Sequence, residues 1–395
     1  MVRDMAKKSQ RSIKMIDKKL GYYICNGREF ESKIQAYLYA SETNSPVEWI
    51  FNNDVFNAVK WTQEPQASLD TLYDRRARAL RERYDYIILS YSGGSDSNNV
   101  LMSFYRQGLH IDEIVTNWVL EATKNFNVLD TEITSAWNCN AEYELHTRDR
   151  LQWITDNMPA TKITFFDCSR SVIDYFRNVQ DESWVLDHKD PINPVVAQRF
   201  NYLNMKDVHN RIDHYKSIAI ITGTDKPRFY MNKNKEGYMY FTDVHTNIIP
   251  ASQHFTDYTN TTVEHFYWSP ESCDILVKQA HLILQYLNQN PQYTPIFVRQ
   301  AILDRSAQEI LLKRIIYSTT WDNTWFQTKK PTADWDCELD QWFTQQFDGT
   351  RIKRNWEAGL NFLTDRIDIS LLNPRNNNRG LRVHESTSWF IGKLN

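Results

Sequence analysis

The chain has 395 residues, of which 41% are hydrophobic, 24% charged and 13% aromatic, a length and balance that describe a globular protein of two domains, or of one with large additions. Its 46 Lys and Arg against 49 Asp and Glu leave a formal charge of −3, which excludes a global field for nucleic acid and leaves only local basic patches for such a partner. The five cysteines (Cys25, Cys139, Cys168, Cys273, Cys337) form no Cys-x-x-Cys pair, so a zinc ribbon or a locally built iron–sulfur site is not expected.

The elements are predicted in chain order from hydrophobic period and turn residues. The first twenty residues form a basic arm (Arg3, Lys7, Lys8, Arg11, Lys14, Lys18, Lys19) without the apolar centre of a signal peptide. No run is long and apolar enough to span a bilayer. With an odd cysteine count, this leads us to expect a cytoplasmic protein without a membrane partner. Tyr22–Cys25 followed by Asn26-Gly27 is a strand and turn signal. A helix is predicted through Ile34, Ala36, Tyr37 and Tyr39, and the aromatic stretch Val47–Trp61 is expected to pack on the main domain. Pro65–Arg83 predicts a helix with Leu69, Leu72, Tyr73, Ala77 and Leu80 inward. Arg75, Arg76, Arg78, Arg81 and Arg83 then fall on its solvated face.

Four apolar strands follow: Tyr86–Tyr91, Glu113–Val119, Lys162–Asp167 and Ser217–Thr222. Helical stretches lie between them, near Val100–Tyr105, Ser135–Leu145, Val172–Phe176 and Val195–Leu203. Near-continuous apolar strands separated by helices predict a doubly wound, mainly parallel α/β sheet. From about Tyr258 the pattern turns helical, with Ser272–Leu287 and Val298–Tyr317 the clearest segments. Ser269 is the expected N-cap with Pro270 at N1, and Ser386–Gly392 is a short strand. Lys278 and His281 fall on one helix face, which is expected to be solvated.

The first strand runs into Ser92-Gly93-Gly94-Ser95-Asp96-Ser97 and then into an amphipathic helix with Val100, Leu101, Phe104 and Tyr105 on its apolar face, ending near Gly108. Two glycines let the backbone turn tightly and approach a ligand with no Cβ in the way. The freed amides then point at one spot beside the positive end of a helix dipole. Hydroxyls of Ser92, Ser95 and Ser97 add donors, so the unit reads as a cradle for phosphate or pyrophosphate. A second group, Gly223-Thr224-Asp225-Lys226-Pro227-Arg228, follows the fourth strand, at the carboxyl edge where ligands sit in such sheets. Lys226 and Arg228 could reach a polyphosphate from the side opposite the loop.

The loop resembles the SGGxDS signature of the PP-loop ATP pyrophosphatases, matching it at every defined position and in the strand–helix context it requires. The resemblance covers roughly residues 84–250, and uncharacterised phage proteins share it. It implies a HUP/PP-loop type nucleotide-binding domain over 84–255. An N-terminal α+β extension over 1–83 and a mainly helical domain over 256–395 would flank it. It implies ATP and Mg²⁺ as ligands, with Ser92, Gly93, Gly94, Ser95 and Ser97 on the β- and γ-phosphates. Asp96 would help hold Mg²⁺, with Asp225 as a second metal ligand. Gly223 and Thr224 would line the second phosphate-side motif, Asp96, Lys226 and Arg228 would serve catalysis, and Asn117 and Trp118 would meet adenine and ribose. The implied reaction is adenylation of an acceptor oxygen with release of pyrophosphate, before attack by an amine, ammonia or sulfur nucleophile. The acceptor is not legible in the residues, nor is the oligomeric state.

Other readings stay open. Val2 follows Met1, so the N-terminal cysteine of a glutaminase is absent and an internal ammonia supply is not expected. A sulfonucleotide reductase shares the fold but requires a C-terminal Glu-Cys-Gly, whereas the tail here is Phe390–Asn395 without cysteine. A nucleotide-binding module without turnover is the third reading. Cys168 is read as a buried inert thiol rather than a nucleophile, Arg170 equally as phosphate contact or solvated side chain, and His245, His254 and His265 as ordinary polar residues.

Overall fold

A computed structural model describes residues 18–124, 143–179, 182–187, 206–223, 228–243, 260–298, 305–321, 342–343, 345–367, 372–373, 380–381 and 383–395. The basic arm to residue 17, most of the predicted helix Ser135–Leu145, and that at Val195–Leu203 lie outside the described residues.

The described chain opens with a hairpin of β1 (Tyr22–Cys25) and β2 (Arg28–Phe30). Its turn puts Asn26 at φ 48° and Gly27 at φ 74°, the left-handed pair whose twist matches that of the flanking strands. Helix α1 (Lys33–Thr43) starts where the Ser32 side chain accepts the Gln35 amide and stops at left-handed Asn44. Strand β3 (Val47–Ile50) pairs antiparallel with β1. Short α2 (Asn53–Ala58) leads to α3 (Leu69–Arg83). The buried residues of α3 are Leu69, Leu72, Tyr73, Arg76, Ala77 and Leu80, one stripe at helical spacing. Arg76 corrects the expectation of a fully solvated arginine face. Its guanidinium lies inside, 2.8 Å from the Glu264 carboxylate and 3.2 Å from the His265 carbonyl. An arginine at a stripe position goes inward when a buried carboxylate meets it there.

The main sheet is built from β4 (Tyr86–Ser90), α4 (Ser95–Tyr105), β5 (Glu113–Trp118), α5 (Arg148–Asn157), β6 (Lys162–Asp167), α6 (Cys168–Asn178), α7 (Lys206–Ile212) and β7 (Ile218–Thr222). The antiparallel pair β8 (Arg228–Met231) and β9 (Glu236–Tyr240) follows, then β10 (Thr261–His265). Strands β4, β5, β6, β7 and β10 are all parallel, in the order β10-β7-β4-β5-β6. Alternate residues feed opposite faces. Ile87, Leu89, Ala219 and Ile221 join one buried cluster, and Tyr86, Ile88, Ile218 and Ile220 join the other. The result is a five-stranded, all-parallel sheet covered on both faces, a Rossmann-like α/β arrangement.

Strand β10 corrects the expectation of helix from Tyr258 onward. Its sequence, Thr-Thr-Val-Glu-His, lacks the apolar run of an inner strand, because its buried Glu264 is matched by Arg76 and by the Tyr84 hydroxyl instead of by apolar neighbours. The helical part is then α8 (Cys273–Gln289), α9 (Arg305–Ile316) and α10 (Arg351–Thr364), followed by β11 (Leu372–Asn373), β12 (Gly380–Leu381) and β13 (Trp389–Lys393). Ser269 does not cap α8. Its hydroxyl accepts the Glu271 amide, and its carbonyl accepts that of Ser272 in a separate turn. Strand β13 pairs with β9, completing a three-stranded antiparallel sheet that the sequence pattern did not reveal. Lys278 and His281 are not solvated either, since they bind Glu64 and the Trp61 carbonyl. One apolar cluster contains Trp49, Phe56, Val100, Leu276 and Trp389, so side chains from all three expected segments share a core. Among the described residues no helix is long and apolar enough to cross a membrane.

A buried ion pair joins the early and late parts of the chain. Lys33 Nζ lies 2.8 Å from Asp243 Oδ2, the two side chains being 2% and 0% exposed. The Tyr23 hydroxyl donates to the same oxygen at 3.0 Å, and the His384 amide donates to Oδ1 at 3.0 Å. Removing one partner strands the other charge in the core. We therefore expect Asp243→Ala to lower stability by about 3–5 kcal/mol, measured by chemical denaturation. A loss below about 1 kcal/mol would show that the pair is solvated.

His384 sits beside this pair, its Nε2 2.7 Å from the Tyr37 hydroxyl. Burial lowers its imidazole from 6.5 to about 4, Lys33 acting in the same direction and Asp243 against it. The ring is thus neutral in the fold while the unfolded chain still binds the proton. Stability present above pH 6.5 is accordingly lost as the pH falls toward 4. The expected loss is on the order of 3 kcal/mol, and His384→Gln should flatten the slope of unfolding free energy between pH 6.5 and about 4, where the unfolded chain binds this proton and the folded ring does not. An unchanged slope would assign the acid sensitivity to other groups.

Candidate phosphate-binding site

In the strand order, β5 and β6 extend to one side of β4 while β7 and β10 extend to the other. The winding reverses between β4 and β7, which is where open parallel sheets leave a crevice beyond their carboxyl ends. Both predicted phosphate motifs follow these two strands.

After β4 the Tyr91 amide still pairs with the Val115 carbonyl at 2.9 Å, and the loop then folds on itself. The Ser92 amide donates to Ser97 Oγ at 3.3 Å, and the Gly94 amide donates to Ser92 Oγ at 3.3 Å. Ser97 Oγ donates to the Gly94 carbonyl at 3.1 Å. The Thr147 hydroxyl ties the loop from outside, donating to the Ser92 carbonyl at 2.7 Å. Gly93 has φ +77°, and a Cβ there would lie 2.7 Å from the Thr147 backbone. Gly94 is the N-cap of α4 and offers no capping side chain. The first turn therefore has no internal acceptor for the amides of Ser95 and Ser97. Ser95 Oγ is buried and has no hydrogen-bond partner among the described residues.

Gly223 follows β7 directly. A Cβ on it would meet the Ser97 amide nitrogen at 2.9 Å and the Asp96 carbonyl carbon and oxygen at 3.0 Å. Gly223 thus lies against the first turn of α4, backbone to backbone. Thr224, Asp225, Lys226 and Pro227 lie outside the described residues. Arg228 opens β8 with its guanidinium 3.4 Å from Glu309 of α9.

On the other flank, β5 ends in exposed Asn117 and half-buried Trp118. The Trp118 ring meets Tyr143 edge-on at 4.0 Å and Phe165 at 5.6 Å, and its indole N–H is buried without an acceptor among the described residues. At the end of β6, Asp167 caps α6 by accepting the Ser169 and Arg170 amides. Cys168 is buried behind it. Arg170 is exposed and paired with Asp174. Of the three histidines, His265 is buried at the end of β10, and His245 and His254 lie outside the described residues.

Sequence reasoning missed what meets Asp96. Its Oδ1 accepts the Tyr317 hydroxyl at 2.8 Å, its Oδ2 lies 3.0 Å from Lys313 Nζ, and its carbonyl accepts the Tyr267 hydroxyl at 2.9 Å. Asn99, one turn along α4, donates to the Tyr267 oxygen and accepts from Thr320. Burial raises the Tyr317 phenol well above 10, the Asp96 charge adding to the effect. Burial raises Tyr267 in the same way, with Tyr73 the next contributor. Both phenols therefore stay protonated and act as donors, not bases. The only signal for this network was the four-residue spacing of Lys313 and Tyr317, which places them on one face of α9.

The cradle suits an anion: a positive-φ glycine, helix amides without internal acceptors and an orphaned buried hydroxyl converge on one turn. Among the described residues no group of three or more His, Cys, Asp or Glu could hold a metal ion. Mg²⁺ keeps several waters and takes one or two carboxylates beside phosphate oxygens. Asp96 alone at the loop fits an ion arriving on a polyphosphate, not one held by protein ligands only. Compared with known proteins, the chain matches no family model, and no curated protein is significantly similar to it.

Gly93→Ala would combine a forbidden backbone region with a clash against Thr147. We expect it to cost about 2 kcal/mol or more by thermal unfolding. A variant as stable as the parent would mean that the loop takes a different path.

Proposed function

We propose that this protein is an ATP pyrophosphatase of the PP-loop kind, which transfers AMP to an acceptor oxygen and releases pyrophosphate. The observation that carries the reading is the close approach at the reversal point, where Gly223 after β7 lies against the backbone of Asp96 and Ser97, just past Gly93-Gly94, so that a Cβ on it would come within 2.9–3.0 Å of that backbone. No plain turn needs that approach together with three serines and a helix N-terminus.

In this reading the amides and hydroxyls of Ser92–Ser97 hold the β- and γ-phosphates, and Asn117 with the Trp118 ring receives ribose and adenine from the neighbouring strand end. Negative charge grows on the departing pyrophosphate. Helix-terminal amides, Lys226 and Arg228 stabilise it in a site where donors are already fixed. Arg228 would have to exchange Glu309 for a phosphate oxygen. Mg²⁺, when bound through Asp96 and, on this reading, Asp225, supplies further neutralisation of the phosphate charge. Adenylation activates the acceptor oxygen as a leaving group for an amine, ammonia or sulfur nucleophile. The aromatic N-terminal segment and the helices after α8 are the parts from which an acceptor pocket could be made.

Calorimetry with ATP and Mg²⁺ should give heat, and a pyrophosphate-release assay should show turnover in a metabolite extract that is reduced about a hundredfold or more in Asp96→Ala. Absence of binding to both ATP and adenylylated sulfate would end the proposal. Sulfite production from the adenylylated sulfate would replace it with a reductase.

A further inference from the structure

The ammonium of Lys313 is the unexpected charge at this site. Lys313 belongs to α9, outside the parallel sheet, and its side chain is only 12% exposed. Its Nζ lies 3.0 Å from Asp96, the second residue of the helix that opens on the phosphate loop. Helix α9 is held in register there by independent contacts. Tyr317 bonds the other Asp96 oxygen at 2.8 Å, Tyr73 donates to the Ile316 carbonyl at 3.0 Å, and Thr320 donates to Asn99 at 2.8 Å. One turn before Lys313, Glu309 meets Arg228. Residues 309, 313 and 317 form a single stripe at four-residue spacing, so one helix touches both candidate phosphate motifs.

We propose that Lys313 is a phosphate-binding residue of this site, exchanging Asp96 for the β- and γ-phosphate oxygens when Mg²⁺ and ATP enter. The assignment rests on the nucleotide reading above and adds to it a residue from outside the α/β unit. The physical argument is one of partner exchange. A divalent ion outcompetes a single ammonium for a carboxylate, because its charge is doubled at similar distance. The displaced ammonium sits on a flexible four-carbon stem, a few ångströms from where a polyanion would lie. It needs only a change of side-chain torsions, since Tyr317 and Thr320 keep the helix in place. The site then reads the number of phosphates: a triphosphate recruits Lys313, and a monophosphate leaves it on Asp96.

The test compares titrations of ATP with Mg²⁺ and of AMP into the full chain, Lys313→Met and Lys313→Arg. We expect Lys313→Met to weaken ATP binding about tenfold or more, the value of a charged hydrogen bond, while AMP binding changes less than about twofold. Lys313→Arg should recover most of the loss. Equal affinity of parent and Lys313→Met for ATP overturns the assignment and leaves the nucleotide reading standing. A parent chain that binds no ATP removes both. If Lys313→Met does not fold, the parent can be treated with an ADP carrying a pyridoxal aldehyde in place of the γ-phosphate, followed by borohydride. Modification of Lys313 that ATP prevents supports the proposal, and modification confined to other lysines overturns it.

Discussion

Between β4 and β7 the chain changes the direction in which it adds strands, and the gap this leaves can be closed only by backbone that carries no side chain. Gly223 supplies that backbone, lying against the Asp96 carbonyl and the Ser97 amide. Gly93 supplies the tight turn on the facing side. A Cβ on Gly223 would press on the first turn of α4, and one on Gly93 would press on Thr147, so each glycine keeps the loop and the helix start where they are. The rest of the candidate site is arranged around this approach: Trp118 and Asn117 on the neighbouring strand, Arg228 at the start of β8, Thr147 closing the loop from behind.

The scaffold that holds the crevice is unusual in how many charged groups it takes inside. Arg76 with Glu264, Lys33 with Asp243, and Arg211 with Glu113 are pairs in which at least one member is fully or almost fully buried. Each is supplemented by tyrosine hydroxyls, from Tyr84, Tyr23 and Tyr86 respectively. Such pairs contribute little net stability against apolar replacements, but breaking one is costly. Their effect here is positional. Arg76 ties α3 to the edge strand β10, and Asp243 ties the N-terminal hairpin to the segment leading into β13. A late segment of the chain is thereby fastened to an early one, and the same kind of fastening recurs at the site, where Tyr267 and Tyr317 reach Asp96 from elements far along the sequence.

Local signals were therefore legible and distant partners were not. The glycine pair, the serine positions and the apolar strand before them specify a strand–turn–helix unit by short-range sterics alone. The Asn26-Gly27 hairpin and the helical stripe of α3 are likewise written in neighbouring residues, because turn geometry and helical period involve only a few positions. Strand β10 was hidden because its buried polar residues have their partners on α3 and beside it, so no apolar run marks it. Arg76 was misplaced for the same reason, since one residue type reads as solvated until a carboxylate is found opposite.

What the sequence by itself determined was the character of the loop: a bend that two glycines make possible and that a helix dipole makes attractive to anions. What only tertiary structure decided was the company that loop keeps. Tyr317 and Asp96 are 221 positions apart, and no periodicity or motif relates them. They meet because α9 packs on α8, α8 on α3 and α3 on α4, and that packing follows from apolar burial over many residues, which no single segment encodes.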